Sequence, residues 1–241
     1  MSKTELLTKI IQTKDLLGKK NLSIPEYQRP YKWTVKNVNQ LIDDIMHHKN
    51  QSAYRLGTIV FYRDEKGQLN IVDGQQRTIS LLLIAMAICN NTNRLMEALK
   101  KSKVTPIASE WFDGLSFTNT ISLKNIQSNY QEIFRRVDDF DVDTVLFFYE
   151  KCELVEVILE DVSEAFQFFD SQNARGKDLE PHDLLKAYHL REMSKISTEA
   201  ERLKSVETWE ALDSDDLKMV FGNYLFRIRN WTRGASARKF E

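Results

Sequence analysis

The chain has 241 residues, 42% of them hydrophobic and 29% charged, with 34 basic against 35 acidic side chains and a formal net charge of −1. That composition describes an ordinary globular protein, long enough to bury a core as one large domain or two small ones. It excludes a global field that would gather nucleic acid, so any such contact has to come from local patches.

Two cysteines, Cys89 and Cys152, fit neither a disulfide framework nor a metal-ligand spacing, and a reducing, cytoplasmic compartment is the expectation. The first five residues carry no apolar signal region and no segment reaches transmembrane length, so no membrane partner is expected. In chain order, Leu6, Leu7, Ile10, Ile11 and Leu17 mark one face of a first helix that Gly18 ends. A short strand over residues 21–24 follows. Residues 25–33 then hold two prolines, two tyrosines and a tryptophan, which reads as a fixed loop rather than a linker. Thr34 caps a helix with Val38, Leu41, Ile42 and Ile45 on one side, and the pair His47 and His48 reads as its solvated end.

Residues 54–62 are rich in β-formers and pair as a hairpin with Leu69 to Val72 across the Arg63 to Gly67 turn. A long apolar helix is predicted from Ile79 to Ile88, with almost no polar face and therefore central. Shorter helices are expected near Leu95 and from Leu123 to Arg136. The acidic cluster Asp138, Asp139, Asp141 and Asp143 reads more cheaply as a loop and a helix first turn than as a metal site. Leu154 to Leu159 is a strand, and a helix through Phe166 and Phe169 leads to a polar loop, Asn173 to Leu179. Another helix opens at Pro181. The last helix is amphipathic, with Leu217, Val220, Phe221, Tyr224, Leu225, Ile228 and Trp231 on one face, which points to a dimer contact or a further segment of a longer protein.

Between the hairpin and the central helix lies the polar pentad Asp73-Gly74-Gln75-Gln76-Arg77. Unpaired amides and a guanidinium at the edge of a core are costly, so they need partners. A capping box of Asp73 with Gln76, entered through Gly74, accounts for part of it. A helix N-terminus with a fork-shaped arginine in its first turn is equally a site for phosphate or carboxylate.

Three motifs then coincide: residues 24–33 (Ile-Pro-Glu-Tyr-Gln-Arg-Pro-Tyr-Lys-Trp), residues 56–60 (Leu-Gly-Thr-Ile-Val) leading to the pentad, and Asn173-Ala174-Arg175-Gly176 followed by Asp183-Leu184-Leu185-Lys186. Together they resemble the domain-of-unknown-function 262 family, which includes the N-terminal part of GmrSD-type modification-dependent restriction enzymes and related phage-defence proteins. The resemblance covers roughly residues 1 to 190. It implies an α+β fold with a small mixed sheet and packed helices, akin to ParB and sulfiredoxin. It divides the chain into a nucleotide-handling domain over 1–192 and a helical extension over 193–241.

The function so implied is NTP binding and hydrolysis coupled to recognising or cutting foreign DNA. Carried over by position, Asp73, Gln76 and Arg77 are the catalytic candidates. Gln28, Arg29, Gly74, Gln75, Asn173 and Arg175 are the nucleotide-binding ones. Arg29, Arg77 and Arg175 would hold phosphates while Asp73 orients a water or Mg²⁺. Relatives often carry a separate His-Asn-His nuclease module, and His47, His48, His182 and His189 lack its spacing, so cleavage would need another domain or a partner chain. The alternative is a module that reads DNA or a modified base without turnover, with Tyr27, Tyr31 and Trp33 as a stacking surface.

Overall fold

The computed structural model describes residues 7–25, 30–91, 94–101, 103, 105–106, 120–160 and 214–234, together with residues 189, 193, 201, 204–205, 208–209 and 212. The chain divides into two compact units. One comprises Met1–Ile24 and Arg29–Ala165, the other Pro25–Gln28 and Phe166–Glu241.

The first unit is built on a five-stranded mixed sheet. Its strands are β1 (Leu7–Gln12), β2 (Leu22–Ser23), β3 (Tyr54–Arg63), β4 (Leu69–Asp73) and β5 (Cys152–Leu159), in the spatial order β1-β5-β3-β4-β2. The hairpin β3–β4 is antiparallel as expected, β5 runs parallel to β3, and β1 closes one edge antiparallel to β5. The first segment is therefore a strand and not the start of a helix. Ile11 is 1% exposed and its neighbour Ile10 49%, the alternation of a pleated edge. Only Thr13–Leu17 (α1) is helical there.

Helices cover the face of the sheet that carries Ile59, Phe61, Leu69 and Ile71: α2 (Val35–His48), α3 (Gln75–Asn90), α4 (Arg94–Lys101), α5 (Thr120–Val137) and α6 (Val142–Glu150). The centre is α3, in which Ile79, Leu81, Leu82, Leu83, Ile84 and Ile88 are all buried, as an apolar run without a polar face requires. Thr34 and Asn37 form the capping box of α2, and Asp141 caps α6 by accepting from the Thr144 backbone N–H at 2.8 Å. His48 departs from the solvated reading. Its Nδ1 bonds the Asp44 carbonyl at 2.7 Å and its ring stacks on Tyr54 with centroids 4.2 Å apart.

In the second unit the last helix is composite: α7 (Ser214–Met219), a π-helical stretch (Val220–Leu225) and α8 (Phe226–Trp231). Leu217 is buried and Phe221 packs on Trp209 at 5.3 Å, but Val220, Tyr224, Leu225, Ile228 and Trp231 are exposed. The apolar face expected from sequence is thus only partly buried. The segment 161–188, with its predicted helices and polar loop, lies outside the described residues.

Among the described residues no single helix is long and apolar enough to cross a membrane. Cys89 and Cys152 are free thiols. Burial pushes the Cys152 thiol up to about 12.

Candidate functional site

The pentad sits where β4 ends and α3 begins, and two glycines determine its shape. Gly74, at φ +88°, is the N-cap of α3, so the residue expected to cap, Asp73, is the last residue of β4 instead. A Cβ on Gly74 would lie 3.0 Å from Ile59 Cγ1 and 3.2 Å from the Thr58 carbonyl, so the turn is pressed against β3. Gly57, at φ +115°, lies at the irregularity where β3 shifts register against β5. A Cβ there would meet the Arg77 guanidinium at 3.0–3.1 Å. The arginine therefore lies flat over bare backbone, and its Nη1 donates to the Thr58 carbonyl at 3.0 Å.

The two glutamines divide the work. Gln76 accepts from the backbone N–H groups of Lys32 (2.7 Å) and Trp33 (3.1 Å) and donates to the Pro30 carbonyl at 3.1 Å. Its carboxamide is thereby committed to the loop before α2, and the capping box with Asp73 does not form. Gln75 is 7% exposed, and its carboxamide makes no hydrogen bond among the described residues, but its polar atoms are not sealed from solvent. No side chain caps α3, whose first turn contains no acid. The N–H groups of Gln75, Gln76 and Arg77 precede the first intrahelical bond, from Thr78 N–H to the Gly74 carbonyl at 2.9 Å.

Burial lowers the pKa of Arg77, and the nearby Asp73 carboxylate and Tyr54 oppose that shift. The side chain stays a cation at neutral pH with donors beyond the one given to Thr58. Tyr54 is pushed up by burial and by Asp44, whose carboxylate accepts its hydroxyl at 3.2 Å. Asp44, Tyr54 and Gly57 escaped the sequence reading as site residues. A glycine inside a run of β-formers was the available signal for Gly57. Nothing in the sequence joined Asp44 to Tyr54, which meet across the end of α2.

The loop beside the pentad is anchored from two helices. Tyr31 is fully buried, its hydroxyl 2.8 Å from Ser80 Oγ of α3 and accepting from Asn129 Nδ2 of α5 at 2.9 Å. Its backbone N–H donates to Ser122 Oγ, and its carbonyl accepts from Asn125. Burial raises the Tyr31 pKa despite these bonds. Asn129 also donates to the Trp33 carbonyl at 2.8 Å, and Trp33 packs against the core. The start of α3 and residues 122–129 of α5 therefore meet around residues 30–34, just ahead of α2. Tyr31 is taken up by the fold and not offered for stacking. Gln28, Arg29, Asn173 and Arg175 lie outside the described residues, as does Tyr27.

Among the described residues no three His, Cys, Asp or Glu side chains group as a metal site. Asp73 supplies the single carboxylate of the pentad, which suits a cation held mainly by the oxygens of its own ligand.

These features define an α+β domain with an uncapped helix N-terminus that presents a half-buried arginine, a carboxamide without a hydrogen bond among the described residues, and one carboxylate. The chain belongs to the GmrSD restriction endonuclease N-terminal domain family, whose profile matches residues 13–190. It is thus a member of a restriction-type, phage-defence family. Residues 201–241 match a second family, one of unknown function. No curated protein matches the chain.

Proposed function

We propose that the pentad binds the phosphates of a nucleoside triphosphate and supports its hydrolysis, and that this step controls recognition or cutting of foreign DNA. One observation carries the reading. The N-terminus of α3 is left without a side-chain cap, while beside it the Gln75 carboxamide makes no hydrogen bond among the described residues and Arg77 keeps donors to spare. Glycine is an ordinary N-cap and the only residue that fits here, but it brings no side-chain acceptor, so the first-turn N–H groups of α3 stay open to a ligand. A polyanion supplies acceptors for all three groups at once.

In this reading the α3 amides and Arg77 hold phosphate oxygens and stabilise the charge that develops during transfer. Gln75 orients the ligand, and Asp73 positions a water or one Mg²⁺ carried in with the phosphates. Mg²⁺ would supply charge neutralisation between phosphate oxygens. Gln76 holds residues 30–33 in place and acts through that loop. Cleavage itself falls to a nuclease domain or a partner chain. Burial of Tyr31 weighs against the alternative of a base-reading module built on this loop's aromatics.

The test is thermal unfolding of the chain with each NTP, with and without Mg²⁺, for the wild type, Arg77→Ala and Gln75→Ala. A ligand at about a hundred times its dissociation constant adds roughly 2.7 kcal/mol, a visible rise in the midpoint. Phosphate release is then measured for the nucleotide that shifts the wild type. A shift confined to the wild type, with turnover lost in both variants, is the expected result. No shift with any nucleotide, or equal shifts in all three proteins, overturns the proposal.

A further inference from the structure

Two hydrogen-bonded arms run from Asn129, in the middle of α5, to Gln76 of the pentad. The first passes through side chains. Asn129 Nδ2 donates to the Tyr31 hydroxyl at 2.9 Å, that hydroxyl lies 2.8 Å from Ser80 Oγ, and Ser80 Oγ donates to the Gln76 carbonyl at 2.9 Å. Serine has one proton to give, so the Tyr31 hydroxyl donates to Ser80 and the direction of the arm is fixed. The second passes through backbone. Asn129 Nδ2 also donates to the Trp33 carbonyl at 2.8 Å, and the Trp33 N–H donates to Gln76 Oε1 at 3.1 Å.

The two arms close on the carbonyl and the side chain of Gln76. That carbonyl shares a peptide plane with the Arg77 N–H, one of the three amides left open at the start of α3, so a bond that holds the carbonyl aims the amide. Asn129, Tyr31 and Ser80 are all fully buried, where a satisfied hydrogen bond is strong and its loss costly. Asparagine brings two N–H donors on one small neutral group, and both arms use them. Its Oδ1 is sealed from solvent with no donor among the described residues, a cost that a position filled for packing alone would avoid. We infer, on the nucleotide reading of the pentad given above, that Asn129 is a positioning residue of that site and fixes the aim of the open α3 amides through Gln76.

Phosphate oxygens can follow a slightly displaced amide in the ground state, but in-line transfer demands alignment, so loss of Asn129 falls on kcat more than on KM. Asn129→Leu removes both arms in a side chain of the same branching, and Tyr31→Phe removes only the first. Each is measured in the full chain, at a temperature where circular dichroism shows it folded, by phosphate release and by amide hydrogen exchange without nucleotide. Asn129→Leu should lower kcat about ten- to a hundredfold with KM within about twofold of wild type, and Tyr31→Phe should fall between them. Exchange at the Lys32 and Trp33 amides should quicken in Asn129→Leu while that of the central α3 amides does not. A lower midpoint with unchanged kcat is the mark of a merely structural side chain and overturns the inference, as does unchanged exchange at Lys32 and Trp33. Where Asn129→Leu does not fold, Tyr31→Phe decides, and wild-type kcat in that variant overturns it. A wild type that neither binds nor hydrolyses any nucleotide overturns the nucleotide reading itself, and the role of Asn129 with it.

Discussion

Gln75 and Gln76 are adjacent and chemically identical, yet the structure gives them opposite duties, and replacing each by leucine separates the two. Gln76→Leu removes three hydrogen bonds, to the Lys32 and Trp33 N–H groups and the Pro30 carbonyl. At a net 0.5–1.5 kcal/mol per bond, and with water able to reach the more exposed end, the expected loss is about 2–3 kcal/mol. In a domain of this size that lowers the thermal midpoint by roughly 5–10 °C. Gln75→Leu removes no hydrogen bond found among the described residues and replaces an amide whose polar atoms still reach solvent with an apolar group of similar length. Its stability should stay within about 0.5 kcal/mol of wild type. Its nucleotide affinity should fall roughly tenfold, the worth of about 1.4 kcal/mol. Urea unfolding followed by tryptophan fluorescence, with nucleotide titration of each variant, gives both numbers. A Gln75→Leu protein destabilised by more than about 1 kcal/mol, beside a Gln76→Leu protein of wild-type stability, would refute the division.

Gly57→Ala should destabilise the fold by about 1–3 kcal/mol, because it combines a positive φ with a Cβ at 3.0–3.1 Å from the Arg77 guanidinium. It should also weaken nucleotide binding as the arginine is displaced, both read by unfolding with and without ligand. Tyr31→Phe leaves Ser80 and Asn129 without the buried hydroxyl they share, and a loss of about 1–3 kcal/mol in urea unfolding is expected. Asp141 is held down to about 2 by Lys49 and by its cap on Thr144. A depressed carboxyl stabilises the fold above its unfolded value, about 3.9, and that contribution fades as pH falls toward about 2. Asp141→Asn should flatten the acid side of the urea-midpoint profile between those values, and an unchanged profile would remove Asp141 from the account.

Periodicity made most of the fold legible. The run from Ile79 to Ile88 has no polar side, so it had to be buried, and it is the central helix. The β-formers on either side of the Asp64 turn had one economical pairing, the hairpin that delivers the chain to the pentad. The first strand was misread because Ile10, Ile11 and Leu17 fit a helical spacing. Pairing with β5, nearly 150 residues away along the chain, outweighed that local pattern, as cross-strand partners do when they complete a sheet edge. The composite last helix was equally hidden, since a π stretch leaves no mark in hydrophobic spacing alone.

For the site, sequence determined which residues are present and that four polar residues and a glycine between a buried strand and a buried helix must be spoken for. It left the capping and anion-binding readings open. Tertiary structure decided between partners. Gly74 and not Asp73 begins α3, because only a residue without Cβ fits between the turn and Ile59. Gln76 turns to residues 30–33 because that loop brings two N–H groups and a carbonyl within reach, which no linear spacing encodes. Arg77 rests on Gly57 because a strand irregularity bares the backbone there. A hydrogen bond needs its partner at about 3 Å, and that distance is set by the packing of elements far apart in sequence. The sequence therefore determined the inventory of this site, and only the fold determined which members remain free to meet a ligand.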